Sequence, residues 1–386
     1  MKVISSEKIP IKMWLEDIED GAVEQAKNLA NLPFVFKHIA LMPDAHLGYG
    51  MPIGGVMATK GVVIPNAVGV DIGCGMCAVR TSLTDIDIET LKKIMGEIRK
   101  VVPVGFSKHQ EAQDKTLLPN YELWEDEITY KEKNNALKSI GTLGGGNHFI
   151  EIQKGSDGHI WIMIHSGSRN LGFKVAEHYN KLAIELNEKW HSSVPKEHEL
   201  AFLPLDSEEG QAYLREMNYC VEFALANRKQ MMAQCLNSFG NTIGVFDYDD
   251  VINIAHNYAS LESHFGSNVM VHRKGATLAR EGTVGIIPGS QGTKSYIVKG
   301  KGCKESFESC SHGAGRCMGR KQAQRELNLE EEIKILNDQG IIHGIRTEKD
   351  LDEASGSYKD IDVVMENQKE LVDILVELTP LAVIKG

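Results

Sequence analysis

Glycine constrains this chain more than any other residue. Of 386 residues, 37 are glycine, about one in ten against a typical share of about 7%. They gather in "HLGYGMPIGG", "VGVDIGCG", "GTLGGGNH", "HSGSRNLG", "IIPGSQGT", "VKGKG" and "SHGAGR". Between them lie short β-type runs such as "VMATKGVVI" and "HIWIMIH". Glycine at such places supplies positive φ and lets backbones approach closely. Most clusters also hold a His or Cys, which is more than tight turns require. The clusters run the length of the chain, with no repeat and no Pro/Ser linker between them. The expectation is a single domain over residues 1–386 with one composite site.

Helical periodicity is local. Val175–Trp190 is amphipathic, and Glu208–Met232 reads as a long helix. Ile361, Val364, Met365, Gln368, Leu371, Val372, Leu375 and Leu378 follow i, i+3, i+4 spacing and predict a helix near the end. "DDVINIAHNYASLE" predicts another, with His256 inside it. The mixture predicts an α+β fold of packed, mostly antiparallel sheets flanked by helices.

With 42% hydrophobic and 25% charged residues, the composition is that of a soluble globular protein. No apolar run approaches the roughly 20 residues of a membrane span. Glu7, Lys8, Pro10 and Lys12 break the first apolar stretches, unlike a signal peptide. Seven cysteines, an odd number, fit reduced thiols in a cytoplasmic protein. A net charge of −11 argues against a non-specific nucleic-acid coat. Lys294 to Arg325 is the exception: eight basic residues against two acids give 8 − 2 = +6, a candidate phosphate-binding segment.

Cys74 and Cys77 form a C-x-x-C that is open between half a zinc site and a redox pair. No second knuckle follows, and Cys303, Cys310 and Cys317 recur at intervals of seven, which fits no zinc spacing. Of the fourteen histidines, His109, His159, His178, His191, His198 and His343 sit in charged or polar surroundings. His148, His165, His256 and His312 sit at element ends or beside glycine. With Asp71 and Cys74 they make a mixed oxygen, nitrogen and thiolate set. Such a set suits a catalytic ion, or two ions sharing a ligand, as in displacement at phosphorus. In "SCSHGAGR" glycines let backbone N–H groups approach a phosphate. A neutral His312 there could attack phosphorus and form a phosphoramidate. Arg316 is expected to open a basic helix, with Arg320 one turn on.

These residues extend into a longer pattern. "MPDAHLGYGMPIGGV", "VGVDIGCGM", "GTLGGGNHFIEI", "IHSGSRNLG", "HNYA", "RKGA", "IIPGSQGTKSYIV", "SCSHGAGR", "SYKDID" and "VIKG" occur in this order. Together they closely resemble the RtcB family of RNA-splicing ligases, from Pro10 to Gly386. The resemblance implies a GTP- and Mn²⁺-dependent ligase. RNA ending in a 3′-phosphate or 2′,3′-cyclic phosphate would be joined to RNA with a 5′-hydroxyl, through a guanylylated histidine. His312 would be that histidine. Two Mn²⁺ ions would be held by Asp71 and His148 on one side and by His165 and His256 on the other, with Cys74 bridging. The guanylate pocket would draw on Asn147, His148, Phe149, Ile150, Glu151, His256, Asn257, Pro288, Gly289, Ser290, Gln291 and Ser295. Gly313, Ala314 and Gly315 would line phosphate and sugar. Glu151 and Lys385 would read the guanine edge, with Tyr358 nearby. Arg169, Arg316 and Arg320 would take RNA phosphates. The expected state is a monomer without membrane contact. The sequence departs from the family at Cys77, at Asn170 where Gly is common, and at Gln291 where Met is common. The competing expectation is a dinuclear-metal phosphoesterase that opens cyclic phosphates without joining ends.

Overall fold

Two mostly antiparallel sheets carry the structure, as the α+β expectation required. The computed structural model describes residues 1–386. The first sheet has six strands, in the order Lys2–Ile4, Ile11–Met13, Val35–His46, Ile53–Thr59, Ser267–Lys274 and Asn257–His264. Its single parallel pairing joins Ile11–Met13 to Val35–His46. The second sheet has seven strands, in the order Ile252–Ala255, Gly75–Arg80, Ile160–Ser166, Phe149–Gly155, Val372–Lys385, Ser295–Gly300 and Val284–Ile287. All its pairings are antiparallel.

The long helix spans Glu208–Ile243, eleven residues beyond the predicted end at Met232 (243 − 232), and Ser207 caps it by accepting from the Gly210 amide. Its Met231, Met232, Cys235 and Phe239 pack under the second sheet against Val79, Ile150, Ile152 and Ile162. Its earlier turns pack Tyr213, Met217 and Phe223 against Val175, Tyr179 and Ala183 of the Leu171–Lys189 helix. Each such fully buried side chain contributes about 1.5–3 kcal/mol. No helix is long and apolar enough to cross a membrane.

One predicted helix is a pair of strands instead, and another is helical only in its first half. "DDVINIAHNYASLE" forms Ile252–Ala255 and Asn257–His264, which belong to different sheets. His256 sits at the break, its amide donating to the Cys74 carbonyl at 2.8 Å. Near the end, the helix stops at Asn367 and Val372–Lys385 is a strand. That strand lies between Ser295–Gly300 and Phe149–Gly155, so its backbone is paired on both edges. Val372, Ile374, Val376 and Val383 are β-branched, and a ladder on each side outweighs a weak helical period. Pro380 is tolerated because the register shifts there.

A buried charge network ties the first sheet to the segment leading to His312. Arg273 is fully buried; its Nε donates to Ser309 Oγ at 2.9 Å and its Nη2 to the Phe307 carbonyl at 2.9 Å. The same guanidinium forks onto Glu262, which also accepts from Ser260 and lies 2.9 Å from His264 Nε2. Burial alone would raise the Glu262 carboxyl, but His264 and Arg273 hold it far below the carboxylate range. A depressed folded pKa gives stability that is present above the unfolded value of about 4.3 and lost as pH falls. Glu262→Gln, which leaves Arg273 unpaired, should cost about 3–5 kcal/mol in urea unfolding at pH 7. The deficit against wild type should shrink as pH falls below about 4.

Candidate active site

The turn at residues 71–74 is built by backbone bonds. The Cys74 amide donates to the Asp71 carbonyl at 3.1 Å, and the Gly73 amide to the Asn257 carbonyl at 2.9 Å. Asn257 Nδ2 returns a bond to the Asp71 carbonyl at 3.0 Å. Arg228, fully buried on the long helix, reaches up to the turn. Its Nη1 donates to the Gly73 carbonyl at 2.9 Å and to the Ser166 carbonyl at 2.8 Å, and its Nε to Asn253 Oδ1 at 2.8 Å. One guanidinium therefore joins the Cys74 turn, the strand end carrying His165 and the strand leading to His256.

The turn delivers Cys74 Sγ to 3.5 Å from His148 Nε2 and 3.3 Å from His165 Nε2. The ligand atoms of these three residues all lie within 4.8 Å of one another. Asp71 Oδ2 is 3.3 Å from His148 Nε2. His256 stands apart from this trio, its ring 5.3 Å from that of His165 and 4.8 Å from that of His312. His165 Nδ1 donates to the Asn147 carbonyl at 3.1 Å, which assigns the lone pair to the Nε2 facing Cys74. Burial, then His148, pushes the His165 pKa well down, and burial, then His312, does the same for His256. Burial, then the Asp71 charge, pushes the Cys74 thiol well up. His148 Nδ1 and His256 Nδ1 are buried without protein partners. Imidazoles crowded on a thiol and a carboxylate fit a divalent transition cation, which would displace the thiol proton.

His312 approaches from the other side. Its Nδ1 lies 2.6 Å from Asp44 Oδ2, and its own amide donates to the same oxygen at 3.0 Å, as does Gly313 at 3.3 Å. Asp44 is fully buried. A carboxylate can only accept here, so Nδ1 carries a proton, and in the neutral ring that places the lone pair on Nε2. Two glycines are obligatory for this geometry. A Cβ on Gly315 (φ +74°) would strike the Asp44 backbone, and one on Gly144 (φ +98°) would strike Arg169 and His148.

His312 opens onto a cavity of about 700 Å³. Asn147, Phe149, Glu151, His165, Pro288–Gln291, Gly313–Gly315, Arg316, Arg320, Tyr358 and Lys385 line it, as expected of a shared pocket. Other expected residues sit behind the wall. Ile150 faces the helix-side core, because strand alternation turns Phe149 and Glu151 the opposite way. Ser295 Oγ accepts from the Gly289 amide at 3.1 Å. Arg169 donates to Thr142 Oγ1 and the Gly105 carbonyl, both at 2.8 Å. The expected basic helix begins only at Arg320; Arg316 lies before it, in a bridge with Tyr358. Burial raises the Glu151 carboxyl to about 8, against Gln153 and Lys385. Asp44, Arg228 and Glu353 are the site residues that sequence reasoning missed. Only Asp44 carried a signal, a lone carboxylate in the apolar "IALMPDAH" run.

The family described as tRNA-splicing ligase RtcB matches residues 25–386. The chain belongs to the RtcB family. It is similar to the RNA-splicing ligase RtcB of Escherichia coli K12, at 38% identity over 416 residues, covering 100% of this chain and 99% of that one. The tRNA-splicing ligase RtcB of Thermococcus kodakarensis is 32% identical, over 98% of this chain and 95% of its own. That of Nanoarchaeum equitans is 33% identical, over 100% and 95%. The RtcB pattern read from the motifs therefore extends over the whole chain.

Cys77, three residues from Cys74, faces the helix-side core, where burial raises its thiol to about 12. Calorimetric titration with a divalent transition cation should separate the two cysteines. Cys77→Ser should bind as wild type does, and Cys74→Ser should lose at least tenfold in affinity.

Proposed function

We propose that this protein is an RNA ligase that uses GTP and Mn²⁺ to join RNA 3′-phosphate or 2′,3′-cyclic phosphate ends to 5′-hydroxyl ends. The observation that carries the reading is the Asp44–His312 contact. It leaves a lone-pair nitrogen beside a donor cluster, at the mouth of a nucleotide-sized cavity.

In this reading GTP enters with its base toward Glu151 and Lys385 and its phosphates toward Gly313–Gly315. Guanine N1–H and N2–H donating to Glu151, beside the Lys385 ammonium, favour its ionised form against the burial that raises it, and with the ammonium donating to O6 the pair selects guanine over adenine. His312 Nε2 attacks the α-phosphorus; the N–P bond forms as the P–O bond to pyrophosphate breaks. Asp44 holds the Nδ1 proton and balances the positive charge that develops on the ring. The GMP then passes to an oxygen of the RNA 3′-phosphate, breaking the N–P bond. The 5′-hydroxyl oxygen attacks that RNA phosphorus, and GMP leaves. A cyclic phosphate is first opened by water to the 3′-phosphate. Mn²⁺ held by Asp71, Cys74, His148, His165 and His256 supplies charge neutralisation at the phosphates. Arg320 takes an RNA phosphate.

Incubation with α-labelled GTP and Mn²⁺ should label the wild-type protein covalently, and His312→Ala should abolish the label. With a defined 3′-phosphate and 5′-hydroxyl RNA pair, wild type should give joined product. Hydrolysed ends without joining, and without need of GTP, would favour a phosphoesterase instead.

A further inference from the structure

Glu353 is a buried acid of the cavity wall that the mechanism does not use. Glu353 ends the 3₁₀ turn Glu348–Glu353 and has a side chain only 4% exposed. Its Oε1 accepts from Arg316 Nη1 at 3.2 Å and from Arg320 Nε at 3.0 Å. Its Oε2 accepts from the Tyr358 hydroxyl and lies 4.0 Å from Lys385 Nζ. All four partners line the cavity, and they come from three separate stretches of chain.

The two arginines are not equivalent. Arg316 spends its Nε on the Met318 carbonyl at 3.1 Å and its Nη2 on the Asp352 carbonyl at 2.6 Å, and its guanidinium stacks 5.2 Å over the Tyr358 ring. It is a wall. Arg320 is bound to Glu353 through Nε, while its Nη2 points at Gly146, where a Cβ would lie 3.2 Å away. Its side chain is 54% exposed. It reaches from Glu353 toward the glycine loop that ends on His148, and it lines the cavity.

We propose that Glu353 is a positioning residue that fixes Arg320 and Lys385 from one carboxylate, so that phosphate and base meet donors already in register. This rests on reading the cavity as a nucleotide site. Arg316, Arg320 and Lys385 outnumber the Glu353 and Asp352 carboxylates that face them, so the wall stays net positive and attracts anions even with Glu353 in place. Glu353 weakens anion binding slightly and restores the aim that the reaction needs. Long cationic side chains have many rotamers, and misplacing a reacting group by about 1 Å can cost on the order of 10²-fold in rate.

The role predicts opposite signs for affinity and rate. Glu353→Gln removes one negative charge. In the Mn²⁺-loaded full-length protein it should bind sulfate severalfold more tightly, read by thermal shift. At saturating GTP its rate of covalent labelling should fall about 10- to 100-fold, with no rise in the KM for GTP. Glu353→Asp keeps the charge but is one methylene short. It should bind sulfate as wild type does and lose labelling rate to a similar degree. A purely structural acid would instead lower affinity, rate and melting temperature together, and that result overturns the proposal. Labelling within twofold of wild type in either variant overturns it as well. If wild type itself takes no label, the nucleotide reading fails. The sulfate comparison then still decides whether Glu353 sets the anion affinity of this wall.

Discussion

One oxygen of a fully buried carboxylate organises the reactive end of this molecule. Asp44 Oδ2 takes the His312 ring and two backbone amides from a segment 268 residues further along the chain. An unpaired carboxylate at that depth would be costly, so the three donors are as necessary to Asp44 as Asp44 is to them. The contact fixes the His312 tautomer, brings its ring within 4.8 Å of His256, and sets the cavity mouth. The close approach works only because Gly315 carries no side chain where the chain passes the Asp44 backbone.

The donor cluster follows the same logic with the charges reversed. Arg228 is a buried cation whose Nε and Nη1 donate to three carbonyl oxygens. It gathers the Cys74 turn, the His165 strand end and the strand that reaches His256. Both halves of the site are thus held by a buried ion acting on backbone. Neither ion touches the cavity, and the side chains aimed into it are left for chemistry.

Glycine clusters made the composite site legible in the sequence, because most of them carry a reactive His or Cys with them. The "HIWIMIH" strand and the long helix were legible for the usual reason, a clear period. The segments 252–264 and 372–385 were not. Their apolar residues fit either period over a few residues, and what settled them was a partner strand distant in sequence. Asp44 and Glu353 were hidden for a similar reason. An acid's role depends on which donors surround it, and these donors lie hundreds or tens of residues away. For Arg316 the sequence shows the charge and not the Glu353 carboxylate and Asp352 carbonyl that its guanidinium meets.

The most direct test of Asp44's role is the labelling rate of Asp44→Asn with α-labelled GTP, beside its Mn²⁺ affinity. The side-chain amide of that variant could turn its nitrogen toward the His312 ring and ask it for a lone pair, which would put the proton on Nε2. Labelling should fall roughly 10²- to 10⁴-fold, the scale of losing a tautomer-fixing carboxylate, with Mn²⁺ affinity within about threefold of wild type, since Asp44 belongs to the His312 half of the site. Labelling at the wild-type rate would contradict the claim that this carboxylate sets the nucleophile.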